Sequence, residues 1–223
     1  MKLSHFDLES PIFLDSEFIH VLVIESPKLF YKITKEIYMQ INGEDGRFIL
    51  SEKEKALSFS KNAYLFHDYF SLQINDKKII TALYKDLEKL QQDNFISEFS
   101  IMQENIISLL EKINSESRFA IDYDEDTGFS EILKAFNVKF EENTGSFLEN
   151  LVEYIKILIA FSSVKCLFFV NLKSYLSEEE LKMFYKEMQL SDISILLIED
   201  CQREKIEDEK ILIIDKDLCE IVV

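Results

Sequence analysis

The sequence predicts an α/β protein whose main domain is built from both ends of the chain, with a helical arm inserted between them. Three observations lead there. Apolar runs of strand length occur near the start (FIHVLVIES) and again in the last third (CLFFVN, ISILLIED, ILIID). The middle carries apolar residues at heptad spacing. Only four Gly and two Pro interrupt 223 residues, which favours long regular elements over an all-β fold rich in tight turns. The boundaries that follow are 1–75 with 148–223 for the α/β domain and 76–147 for the helical one.

Taken in order, FIHVLVIES suits a buried strand because its β-branched run has no polar face. Pro27 then opens a helix, PKLFYKITKEIYMQI, in which Leu29, Ile33 and Ile37 recur every four residues. NGEDG is a turn, and RFILSE, KALSFS and AYLFHDYF continue as short strands. From Lys77, Ile80, Leu83, Leu87 and Leu90 are spaced three, four and three; after a polar break, QQDN, the seam resumes with Phe95, Phe99, Met102, Ile106, Leu109 and Ile113. Two helices joined by a short polar turn form an antiparallel hairpin, either protruding as an arm or packed as ordinary core. A short helix spans Phe129 to Phe136, and SFLENLVEYIKILIAF is a longer, buried one. CLFFVN is a strand. SEEELKMFYKEMQ is a helix, with Ser177 and Glu180 at capping-box spacing. ISILLIED is the next strand, and ILIID and LCEIVV close the chain. Strand, helix and strand at this spacing imply a right-handed parallel unit, with FIHVLVIES as its partner.

Composition narrows the function. Hydrophobic residues make up 47%, enough for a sizeable core, and the formal net charge is −17. Such a surface repels phosphate on average, although its 25 Lys and Arg could gather on one face. Cys166, Cys201 and Cys219 have no zinc or CxxC spacing; Cys166 and Cys219 lie in apolar runs and read as buried thiols of a reducing cytosol. No apolar stretch is long enough to span a membrane. Strands ending in acids resemble the metal side of a nucleotide hydrolase. That chemistry also needs a GxxxxGK[ST] loop, whereas VLVIES runs directly into PKLFYK. Glu199 and Asp200 are therefore read as helix caps or surface charges. His5, His20 and His67 are isolated and read as structural histidines.

One segment stands apart. FAIDYDEDTGFSEIL places Asp122, Asp124, Glu125 and Asp126 within five residues. Like charges this close repel by about 1 kcal/mol per pair at ~4 Å in water. A hard cation such as calcium would relieve the repulsion. The spacing is not that of an EF-hand, because position twelve of the loop would be Leu133. The alternative is a helix N-terminus capped by Asp126 or Thr127.

Across its length the chain resembles the Csn-two family of CRISPR-associated proteins. The segments that carry the likeness are SPIFLDSEFIHVLVIES, FAIDYDEDTGFSEILKAFNVKFEEN, KCLFFVNLKSYLSEEEL, ISILLIED and IIDKDLCEIVV. The resemblance implies an α/β head like a P-loop fold that has lost its nucleotide site, and a helical leg. It implies a homotetrameric ring, stabilised by Ca2+, that encloses linear double-stranded DNA, binds its ends without sequence preference and has no enzymatic activity. The setting would be spacer acquisition in the cytoplasm, alongside the CRISPR integrase and the type II-A effector nuclease. By resemblance, Asp122, Asp124 and Glu125 are calcium ligands, with Asp126, Glu141, Glu142 and Glu149 as further candidates. Lys32, Lys134, Lys139 and Lys165 correspond to DNA-facing positions. Two other readings stay open from the residues alone: an interaction scaffold whose arm binds protein and not DNA, and a weak nucleotide hydrolase.

Overall fold

The computed structural model describes residues 1–142 and 144–223. Its chain is mixed α/β, with seven α-helices and two sheets among the described residues. It divides into two compact units, Met1–Gln73 with Asn143–Val223, and Ile74–Glu142.

The first unit is organised on a six-stranded sheet in the order β10-β9-β3-β8-β7-β6. Its strands are β3 (Ile19–Ile24), β6 (Ala63–Phe66), β7 (Cys166–Val170), β8 (Ser194–Glu199), β9 (Glu209–Ile214) and β10 (Glu220–Val222). All pair in parallel except β10, which runs antiparallel to β9 along one edge. The N-terminal strand β3 sits between β8 and β9, with Val21 opposite Leu197 on one side and Ile211 on the other. Every residue of β3 and of β8 is buried, as a continuous apolar run requires when both faces of a parallel sheet are covered. Helix α1 (Pro27–Ile41) buries Ile33 and Ile37, two of the positions that its four-residue spacing selects. Helices α6 (Phe147–Phe161) and α7 (Glu178–Gln189) each start with a capping box, Ser146 with Glu149 and Ser177 with Glu180.

A second, four-stranded sheet in the same unit has the order β2-β1-β4-β5. It comprises β1 (Lys2–Ser4), β2 (Ile12–Phe13), β4 (Ile49–Glu52) and β5 (Lys55–Leu57), all antiparallel. The three short strands expected after α1 thus part company: RFILSE and the start of KALSFS join this small sheet, whereas AYLFHDYF contributes β6 to the edge of the large one. Between them Phe59–Asn62 turns as a short helix, α2, and buries Phe59 against Phe168.

The second unit holds α3 (Lys77–Asn94), α4 (Ile96–Glu116) and α5 (Phe129–Ala135). Asp76 caps α3 by accepting from the amides of Lys78 and Ile79. The polar stretch QQDN is helical and belongs to α3; the break falls on the single residue Phe95. The buried face of α3 is Ile79, Leu83 and Tyr84, not Ile80. Tyr84 donates its hydroxyl to the carbonyl of Val138 (3.0 Å) and binds α5 and its exit to α3.

Two sequence expectations are overturned at the sheet. Cys219 is exposed, like Cys201, and Cys166 alone of the three is buried. Glu199 is no surface charge: it is 0% exposed at the end of β8. One of its oxygens accepts from the Lys173 amide (3.1 Å), while the other has no hydrogen-bond partner and lies 3.6 Å from Nε of Arg203. Nearby, Lys173 donates to both oxygens of buried Glu209, which also accepts from Tyr185 and the Ile206 amide. Glu209 is thereby saturated with donors and Glu199 is not. Burial pushes the Glu199 carboxyl up to about 7.

The sign of the stability effect follows. Folded Glu199 keeps its proton to about pH 7, whereas an unfolded glutamate releases it near pH ~4.3. Its protonated form supports the fold fully below the unfolded value, and that support is lost as pH rises through the folded one. Its size is on the order of 3 kcal/mol. His5 and His20, pushed down by burial, act in the opposite direction. Comparison with Glu199→Gln removes their contribution: raising pH from ~4.5 to ~8 should lower the wild-type Tm relative to the variant by several degrees. A constant difference across that range would show that this carboxyl does not titrate there.

Candidate functional site

The first place to look in an open parallel sheet is the carboxyl edge of its strands. There, β3 reaches α1 through Glu25 and Ser26 alone, and Pro27 already occupies the first turn. Two residues without glycine cannot wrap a phosphate in backbone amides. The neighbouring crossing from β7 is closed by Asn171, which adopts a left-handed conformation (φ 54°) and accepts from the Asp200 amide at the end of β8. His5 and His20 are buried. Nδ1 of His5 accepts from the Asp7 amide and its ring stacks on Phe48 at 4.1 Å. Nε2 of His20 accepts from the Asp15 amide. His67 is exposed, edge-on to Tyr38.

The acidic segment lies between α4 and α5 and is neither helix nor strand. Asp122, Asp124, Glu125 and Asp126 are exposed. Asp124 Oδ1 accepts from the Asp126 amide (3.0 Å) and the Asp124 carbonyl from the Thr127 hydroxyl (3.2 Å), so a turn holds the acids. Gln103 of α4 ties this turn down by donating to the Thr127 carbonyl (2.9 Å). The capping alternative is not realised, because α5 starts after Gly128 with no side-chain cap. Among the described residues no three acidic, histidine or cysteine side chains converge. The donor chemistry suits a hard cation, since these carboxylates are exposed oxygens with lone pairs to spare. Burial, and after it the charges of Glu111, Glu125 and Asp122, raise the Tyr123 hydroxyl. Of the further candidates, Glu142 pairs with Lys139 (3.6 Å), Glu141 is exposed, and Glu149, in the other unit, completes the α6 capping box by accepting from the Ser146 amide (2.6 Å).

The candidate lysines are each engaged by a carboxylate. Lys134 meets Glu131 at 3.2 Å, Lys139 meets Glu142 at 3.6 Å, Lys165 meets Glu52 at 2.7 Å, and Lys32 pairs with Asp7. Hydrogen bonds from Lys134 and Lys165 hold Glu131 and Glu52 below the usual carboxylate range. Solvent-screened pairs of this kind hold their partners weakly, so a phosphate can compete for the cation. Lys134 and Lys139 lie in the second unit, Lys32 and Lys165 in the first.

A further feature of the second unit was only half legible. Helix α4, 21 residues long, has no buried residue. Ile96, Ile101, Ile106, Leu109 and Ile113 are all exposed. At its N-terminal end, Leu90, Phe95, Phe99, Met102 and Phe129 line an apolar groove of about 370 Å³. Of the seam that the heptad spacing predicted, Ile106, Leu109 and Ile113 stay exposed, whereas Phe99 meets Phe129 edge-on.

With this geometry in view, comparison with known proteins is specific. The family model "CRISPR-associated protein (Cas_Csn2)" matches residues 40–218. The chain is 25% identical over 221 residues to a CRISPR-associated protein Csn2 of Streptococcus agalactiae, covering 97% of this chain and 96% of that one. It is 23% identical over 209 residues to a CRISPR-associated protein Csn2 of Enterococcus faecalis, covering 89% and 90%. The chain therefore belongs to the Csn2 family of CRISPR-associated proteins.

Proposed function

We propose that this protein is a non-catalytic factor of CRISPR spacer acquisition. In this reading it is a homotetrameric ring, stabilised by Ca2+, that holds linear double-stranded DNA by its ends without reading sequence. The observation that carries the reading is α4. A 21-residue amphipathic helix with no buried residue exposes apolar surface that a second copy of the same chain would cover. Its partners would be the CRISPR integrase and the effector nuclease of the same system, in the cytoplasm. The α/β unit would be a head that does not handle nucleotides; what supports this is its two-residue, glycine-free β3–α1 connection. No helix among the described residues is long and apolar enough to cross a membrane.

Calcium gives the acidic turn a purpose. Asp122, Asp124 and Glu125 would hold the ion, with Asp126, Glu141, Glu142 and Glu149 as further candidate ligands. A bound divalent ion offsets two negative charges beside a surface that must approach phosphate. Replacing Asp122 and Asp124 by Asn keeps shape and removes charge. The wild-type Tm should rise on adding calcium, and the double variant should lose most of that rise. An unchanged calcium response in the variant would leave the acids as a turn and nothing more.

DNA binding follows from the lysines. A chain of net charge −17 cannot hold phosphate through its average surface, so individual lysines, Lys32, Lys134, Lys139 and Lys165, would supply the phosphate contacts, multiplied by the copies in a ring. Each neutralised phosphate releases counterions, with a slope of about −0.9 in log affinity against log salt. Replacing Lys134 and Lys139 by Ala should weaken linear duplexes of different sequence about equally and flatten the salt slope. A covalently closed circle should bind worse than the same duplex made linear. Salt-independent association, or no binding of linear duplex at all, would favour the protein scaffold instead.

A further inference from the structure

The outer face of α1 carries chemistry that the reading above uses only at Lys32. From Pro27 to Lys35 the chain has three lysines and no acid, within a protein of 42 acidic residues. Lys28, Lys32 and Lys35, spaced four and three, fall on one helical face over roughly 10 Å of axis. Ile33 and Ile37 are buried on the opposite face. With Tyr31, Met39 and Arg47 these lysines line a groove of about 700 Å³. Lys28 and Lys35 have no ion-pair partner among the described residues, which distinguishes them from Lys32.

The groove is also aromatic. The Tyr31 ring is 63% exposed, with Nζ of Lys35 at 5.6 Å from its centre. Outside the lining itself, Phe6 is 71% exposed and flanked by two lining cations, Nζ of Lys32 at 5.4 Å and the Arg47 guanidinium carbon at 5.1 Å. The far wall is fixed. Arg47 is held by Glu36 through its backbone amide (2.6 Å) and two guanidinium nitrogens (3.2 and 3.0 Å). The Gln40 amide exchanges hydrogen bonds with the Phe48 backbone in both directions (3.0 Å each). Glu36, which also lines the groove, is therefore spent on Arg47, and Asp45 is the remaining acid in the lining.

We propose that this groove binds unpaired nucleotides at the end of a DNA strand, a base stacking on Tyr31 and the phosphates meeting Lys28, Lys32 and Lys35. The choice of DNA rests on the proposed function; the choice of unpaired nucleotides rests on the groove. A duplex keeps its bases stacked inside, so it takes from this surface only the cations. An unpaired base has a free face for the exposed ring, and stacking of that kind strengthens binding about tenfold per base.

The test uses the full chain and three labelled probes in fluorescence anisotropy: a blunt hairpin duplex, the same hairpin with a short oligothymidine overhang, and a free oligothymidine. The overhang should bind about tenfold tighter than the blunt end. Tyr31→Leu, at an exposed position, should bring that ratio to near one. Lys28→Gln with Lys35→Gln should weaken the free oligothymidine and flatten its salt slope. A ratio near one in the wild type, or a ratio that survives Tyr31→Leu, would overturn the proposal. So would displacement of oligothymidine by polyglutamate as readily as by unlabelled oligothymidine, since charge alone would then account for binding. Loss of blunt-end binding with the overhang preference intact would sink the duplex-end function and leave the groove standing. The reverse pattern would sink the groove alone.

Discussion

The large sheet depends on one insertion: β3, from the first part of the chain, lies between β8 and β9 from the last. All six of its residues are buried, so each backbone group must find its partner in a strand well over a hundred residues away. That long-range pairing is slow to form and strongly specified once formed, because a slip of one residue would exchange the two buried faces. It also means that both segments of the first unit must be present before its sheet can close. The 69-residue stretch Ile74–Glu142 can then vary in its own packing without breaking a strand.

The two units manage polar groups in contrasting ways. In the α/β unit, buried charge is matched: Glu209 is met by Lys173, Tyr185 and a backbone amide. Glu199 is the exception, and its raised pKa lets it stay neutral where it has too few donors. The helical unit instead leaves apolar side chains of α4 and the acids of the 122–126 turn facing solvent. In the proposed assembly each would gain a partner, the first another apolar face and the second a cation. That asymmetry is the physical basis for reading the α/β unit as scaffold and the helical unit as the place where assembly happens.

Much of the fold was legible because its signals are strong. An apolar run such as ISILLIE has no polar face to misread, and Ser177 with Glu180 announces the start of α7. The misreadings have local causes. QQDN looked like a break because its side chains are polar, yet nothing in it forbids a helix, and α3 runs through it to Asn94. β1 and β2 were missed because three and two residues are too short to show a period. The box of Ser146 and Glu149 was visible at the same spacing as that of α7, and gives Glu149 a role in capping irrespective of any ion. At the candidate sites, the acidic cluster was obvious, but sequence could not show that its carboxylates do not converge among the described residues. The lysine face of α1 was present as a spacing of four and three; the exposed rings beside it emerge only when Phe6 and Arg47 are brought to α1 by the small sheet and its turn.

The central claim is that the exposed face of α4 and the acidic turn are parts of an assembly. Native mass measurement of the full chain, with and without calcium, tests it most directly. The account predicts a species of four times the 26.3 kDa chain mass when calcium is present, with smaller species gaining weight when it is removed. A single 26.3 kDa species at all calcium concentrations, and unchanged by linear duplex, would contradict it.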